Sequence, residues 1–137
     1  MATDCIFCKI AKGEIPCSRV YEDKDLLVFL DIAPANKGHC LIVTKEHYET
    51  LTDLPPELLR KTTEVCQKVA KALSLSLGTD GFNLFMNNGR AAGQLVSHAH
   101  FHIVPRFSTD GIRFEWPHKK YADREMQEYQ DKIKKFL

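Results

Sequence analysis

A chain of 137 residues with 44% hydrophobic side chains can bury one core and is too short for two. Nineteen basic against eighteen acidic residues leave a net charge of +1, which excludes a broad electrostatic footprint for nucleic acid or an anionic membrane and favours a small anionic ligand held by local groups. No apolar run approaches the ~20 residues of a spanning helix, and the N-terminus lacks the basic and apolar regions of a signal peptide, so a cytoplasmic protein is expected.

In chain order, residues 7–12 read as a single helical turn ended by Gly13, with Cys5 and Cys8 at its entrance. Residues 26–30 and 39–44 are apolar or alternating and read as strands, separated by the turn residues 34–38. The clearest periodicity lies at 55–77, where Leu58, Val65, Cys66, Val69, Leu73 and Leu77 form one stripe opposite Arg60, Lys61, Glu64, Lys68 and Lys71. Asp53 as cap, Pro55 and Pro56 in the first turn and Gly78 past the last bound this helix. Strands are expected again at 82–86 and 98–104, with Asn87, Asn88 and Gly89 turning between, and a surface helix at 123–137. The composition turns polar and aromatic after Pro105, so 1–106 reads as the domain and 107–137 as an extension packed on it.

The run 98–104 alternates strictly, so in a strand His98, His100 and His102 share one face while Ala99, Phe101 and Ile103 share the core face. Imidazole serves as nucleophile, acid or donor near neutrality, and three in register point to chemistry more than to a solvated sheet face. A single metal ion does not gather all three easily, because the backbones of the outer two stand ~13 Å apart at the usual strand rise.

The pattern His98-x-His100-x-His102 followed by Ile103 and Val104 resembles the signature of the histidine triad family. Asn87, Asn88, Gly89, Gly93 and Gln94 stand at the family's spacing upstream, and 27–32 and 38–43 match its two preceding strand blocks. The resemblance implies an α+β fold: a five-stranded antiparallel sheet with one long helix and a C-terminal helix, joined into ten strands across a homodimer. It also implies hydrolysis of purine nucleotide derivatives, adenosine or guanosine, at the α phosphorus. His100 is then the nucleophile, His102 a phosphate ligand and His39 its support. Asn87, Gly93, Gln94 and Leu95 lie along the phosphate loop, Asp31 meets the ribose hydroxyls, and Phe7, Ile10, Phe29 and Ile32 wall the base; by periodicity alone these four are core.

One departure is Leu95, since relatives that hydrolyse phosphoramidates often carry Ser or Thr two residues after the conserved glycine, and leucine donates no proton to a leaving group. A dinucleoside polyphosphate hydrolase or a nucleotidyl transferase uses the same His100. A nucleotide-binding adaptor with little turnover also stays open, and Leu95 favours it.

Cys5 and Cys8 have the spacing of a zinc knuckle and need two further ligands, for which His47 and His98 are the candidates. A branch of the family that begins Cys-Ile-Phe-Cys, as here, implies the same four residues around a structural zinc. A redox Cys-x-x-Cys requires a preceding strand, and none is expected before Cys5. The five cysteines form an odd set without export signals, which argues against a disulfide framework.

Overall fold

The computed structural model describes residues 4–137; the first three residues of the expected 1–106 domain lie outside it. A five-stranded antiparallel sheet runs in the order β1-β2-β3-β5-β4, built from β1 (Arg19–Glu22), β2 (Leu26–Leu30), β3 (Cys40–Thr44), β4 (Gly81–Phe85) and β5 (His100–Arg106). Among the described residues three α-helices accompany it: α1 (Ile6–Ala11), α2 (Pro56–Leu77) and α3 (Glu125–Lys134). No helix among the described residues is long and apolar enough to cross a membrane.

Each face of the sheet has its own core, because alternate strand residues point opposite ways. On one face Leu26, Val28, Cys40, Ile42 and Ile103 pack against Val65, Cys66, Val69, Ala70 and Leu73 of α2. On the other, Leu27, Phe29, Leu41 and Val43 pack against Phe7 and Ile10 of α1. The register sets Leu41 opposite His102 and Val43 opposite His100, so both histidines lie on the α1 face.

Several expectations are corrected. β1 escapes a pattern reading because its residues are mostly exposed and it forms a sheet edge with an irregular register against β2. Asp53 does not cap α2: its carboxylate accepts from the Thr50 amide inside a short 3-10 turn, and Pro55 and Pro56 open the helix unaided. The buried stripe of α2 includes Thr62 and Ala70 and leaves Leu77 largely exposed; the Thr62 hydroxyl can be buried because it donates to the Leu58 carbonyl. Gly78 does take the left-handed position after the last turn, at φ 60°. His98 precedes β5, yet its ring stays on the α1 side with the other two: the Phe7 ring meets both His98 and His100, and His98 Nδ1 faces the cysteines at the start of α1.

The extension begins with a clasp. The Asp110 carboxylate accepts from Arg106, from the amides of Phe107 and Ile112 and from the Asn36 amide group. Beyond it, α3 buries none of its residues.

Candidate active site and metal centre

A cavity of about 350 Å³ opens on the α1 face. Its lining contains Phe7, Ile10, Phe29, Asp31, Ile32, Asn87, Gly93, Leu95, His100 and His102, together with Ile6, Leu41 and Val96, which the sequence reading missed. Leu41 was recoverable from strand alternation, since it stands opposite His102; Ile6 and Val96 carry no such signal. A larger groove of about 610 Å³ lies on the opposite face between α2 and β4, but it gathers no set of convergent polar groups.

The protons of His100 and His39 are placed by neighbours that can only accept or only donate, and that of His102 follows from His39. His100 Nδ1 lies 2.6 Å from the His98 carbonyl, which only accepts, so Nδ1 carries the proton and Nε2 keeps its lone pair. The Ala35 amide, which only donates, faces His39 Nδ1 at 3.1 Å and leaves the His39 proton on Nε2. That Nε2–H donates to His102 Nδ1 at 3.0 Å, which puts the remaining His102 proton on Nε2. The residues thus divide into a nitrogen with a free lone pair on His100 and a donor on His102.

Burial lowers the pKa of His100 and of His39, against the opposing pull of the His98 carbonyl in one case and Asp31 in the other. Burial, with His100 and His39 alongside, takes His102 down to about 4. All three are neutral at pH 7, as the hydrogen-bond pattern requires.

Asp31 lies at the cavity edge with the Ala33 amide on Oδ1 and Oδ2 3.8 Å from His39 Nε2. Asp31, His39 and His102 are close enough together to suggest a cation site. The Ala35 amide argues against it, because a metal at His39 Nε2 would force a proton onto the nitrogen that accepts from Ala35.

Gln94 takes a different place from the one expected. Its side chain is buried, with Oε1 accepting from the Gly89 amide and Nε2 donating to the Glu49 and Val96 carbonyls, so it braces the loop under the cavity. His39 likewise stands behind His102, away from the lining. Leu95 is 95% exposed at the rim.

Cys5, Cys8, His47 and His98 bring their ligand atoms within 4.8 Å of one another. His98 Nδ1 lies 3.3 Å from Cys5 Sγ and 3.5 Å from Cys8 Sγ, and His47 Nδ1 lies 3.3 Å from Cys8 Sγ. A tetrahedral zinc with ordinary Zn–S and Zn–N lengths spaces its ligands by roughly 3.4–3.8 Å, close to these values. His98 Nε2 donates to the Thr44 carbonyl at 2.7 Å, which leaves the Nδ1 lone pair facing the sulfurs, as a ligand must. Burial and the neighbouring Cys5 sulfur push the Cys8 thiol up to about 11, so a bound cation is needed to hold Cys8 as a thiolate near neutrality. The donor set fits a structural zinc, with four protein ligands and no open position.

Comparison with known proteins agrees with this geometry. A model of the HIT domain matches residues 12–109. The chain is 41% identical over 130 residues to adenosine 5'-monophosphoramidase hnt1 of Schizosaccharomyces pombe, covering 94% of this chain and 95% of that one. The structure is similar to that of a HIT family protein from Bacillus anthracis, with TM-score 0.92 and 38% identity over 100% and 99% of the two chains. It also resembles a Zn-bound histidine triad family protein from Mycobacterium smegmatis, with TM-score 0.78, 36% identity and full coverage of both.

Proposed function

The chain belongs to the HIT domain family and, like its phosphoramidase relative, is a hydrolase; from that premise we propose that it cleaves purine nucleotide derivatives at the α phosphorus through a nucleotidyl-histidine intermediate on His100. The observation that carries the reading is the unprotonated Nε2 of His100, a cavity-lining residue whose other nitrogen is pinned to the His98 carbonyl.

Nε2 bonds to phosphorus as the bond to the leaving group breaks, and the leaving group departs with a proton taken from solvent at the open cavity. Water then attacks the same phosphorus and returns a proton to solvent, nucleoside monophosphate leaves and Nε2 regains its lone pair. His102, with its proton on Nε2, donates to a phosphate oxygen, and His39 holds it in that tautomer. Asn87 and Gly93 line the cavity beside the phosphate, and Gly93 lets the backbone approach an anion at φ 89°. Asp31 meets the ribose hydroxyls, and the apolar wall of Phe7, Ile10, Phe29 and Ile32 receives the base.

Zinc at Cys5, Cys8, His47 and His98 would supply a structural cross-link. The free cysteines suit a cytoplasmic enzyme. A homodimer is part of the reading: β4 is a sheet edge with Phe82 and Leu84 exposed beside the apolar groove, and pairing it with a second copy gives ten strands.

Leu95 supports a second reading, a nucleotide-binding adaptor with little turnover, because it offers no proton to a leaving group. The test is release of AMP from adenosine 5'-phosphoramidate by the wild type and His100→Ala, with mass spectrometry for the nucleotidyl-protein. The proposal expects turnover that falls by roughly a thousandfold or more in the variant. Equal turnover refutes the covalent route. Binding of AMP by both proteins without turnover favours the adaptor, and turnover of dinucleoside polyphosphates alone moves the substrate class.

A further inference from the structure

The ring of Phe85 lies flat on that of His102, centroids 4.6 Å apart and planes within 5°. The contact follows from the register, since Phe85 pairs directly with His102 across β4 and β5 and their side chains share the catalytic face. Phe85 is itself covered by Phe114 of the extension at 5.5 Å, and the Arg106 guanidinium stands over Phe114 at 5.4 Å. Arg106 is in turn fixed by Asp110, the Asn83 side chain and the Ile112 carbonyl.

We propose that Phe85 is a positioning residue that holds the plane of His102, and that Phe114 closes this clamp from the C-terminal extension. The His39 bond acts on one atom of His102 and lets the ring pivot about it; a flat stack on the ring face removes that pivot. With the plane fixed, the Nε2–H keeps one direction, which matters for a group that must donate to a phosphate oxygen. The stack also keeps water from one face of the ring, consistent with the depressed His102 pKa of about 4. The titratable groups facing His102 are His39, His100 and Asp31, none of which the clamp supplies. The extension therefore has a task at the site although it lines none of the cavity.

The inference rests on the phosphate-binding role of His102, and its test separates the two. Phe85→Leu, Phe85→Tyr and Phe114→Ala are followed by nitrogen NMR titration of the His102 imidazole and by KM and kcat for adenosine 5'-phosphoramidate. Phe85→Leu is expected to move His102 protonation from about 4 toward 6.5 and to raise KM roughly three- to tenfold, the size of an aromatic pair's stacking. Phe85→Tyr should restore both, and Phe114→Ala should shift both in the same direction by less. A folded Phe85→Leu with an unmoved titration and unmoved KM overturns the clamp, as does a tyrosine that fails to rescue. If Phe85→Leu does not fold, Phe114→Ala decides, since Phe114 is half exposed: an unmoved titration there overturns the proposal. Absence of all turnover in the wild type defeats the proposed function, while the titration still decides the clamp.

Discussion

Replacing His39 by Leu removes two hydrogen bonds while keeping most of the side-chain volume, and each loss has its own readout. His39 is 6% exposed, but its Nδ1 partner is the amide of the exposed Ala35, which can turn to water, so this loss costs about 1 kcal/mol of stability. The 3.0 Å bond to His102 Nδ1 is lost as well, and with it the bias that keeps the His102 proton on Nε2. A neutral hydrogen bond contributes about 1 kcal/mol net, so kcat/KM should fall roughly three- to tenfold from this cause alone. His39→Gln can put an amide N–H near the former Nε2 and should recover part of the activity without the Ala35 bond. Steady-state kinetics on adenosine 5'-phosphoramidate and urea unfolding of the three proteins decide the matter. If His39→Leu keeps the wild-type kcat/KM while losing stability, His39 supports the fold only and the relay to His102 is wrong.

The metal centre predicts one zinc per chain by elemental analysis, and Cys5→Ser or Cys8→Ser should lower both zinc content and the thermal midpoint; a full equivalent retained in Cys5→Ser removes Cys5 from the ligand set. For pH, His102 takes its proton near 6.5 in the unfolded chain and only at about 4 in the folded one. The unfolded state therefore binds more protons between these values, so stability falls as pH drops from 6.5 to about 4 and the His102 contribution is flat below. Unfolding midpoints across that window should slope less in His102→Gln, and an unchanged slope refutes the assignment. Asp110→Asn should loosen the clasp that Arg106, two amides and Asn36 make on one carboxylate. Limited proteolysis should then cut within residues 107–124 sooner than in the wild type, and identical digestion patterns would show that the extension is held elsewhere.

What could be read from the sequence followed from periodicity. The stripe of α2 and the alternation of β3 and β5 each bury a face, so Val65, Val69, Ile42 and Ile103 were legible as core. β1 was not, because an edge strand with exposed Val20 and Arg19 buries too little to leave a pattern. The cavity was legible where a motif or a strand reached it, as at His100, Asp31 and Asn87, and poorly legible where a loop delivered the residue, as at Val96, or where an exposed first residue of a short helix did, as at Ile6. Gln94 shows the limit of spacing as a guide. Its place beside Gly93 in the phosphate loop suggested a ligand contact, yet its amide is fully used by Gly89, Glu49 and Val96, which only the folded loop brings within reach. The Phe85 stack was hidden for a similar reason, since the pairing of β4 with β5 decides which side chain meets His102.

The resemblance already divided the row of histidines among different tasks, and the structure shows how one residue, His98, connects them. His98 uses Nδ1 toward the cysteine sulfurs, Nε2 toward the Thr44 carbonyl and its own carbonyl toward His100 Nδ1. The first two bonds orient the imidazole, and a ring held at both nitrogens restrains the backbone that carries it. The third bond sets the tautomer of His100, the nucleophile of the proposed reaction, from that same backbone. Because His98 precedes β5, the sheet ladder does not hold its carbonyl; the local restraints are the His98 side chain, the His98 amide, which donates to the Val96 carbonyl at 2.8 Å, and the amide of Ala99, which donates to the Tyr48 carbonyl at 2.6 Å. This is a physical reason for a histidine, and not merely any polar residue, to stand two places before His100. Asn or Gln at position 98 could reach the Thr44 carbonyl or the sulfurs, but only an imidazole presents a donor to one and a lone pair to the other from opposite sides of a rigid ring.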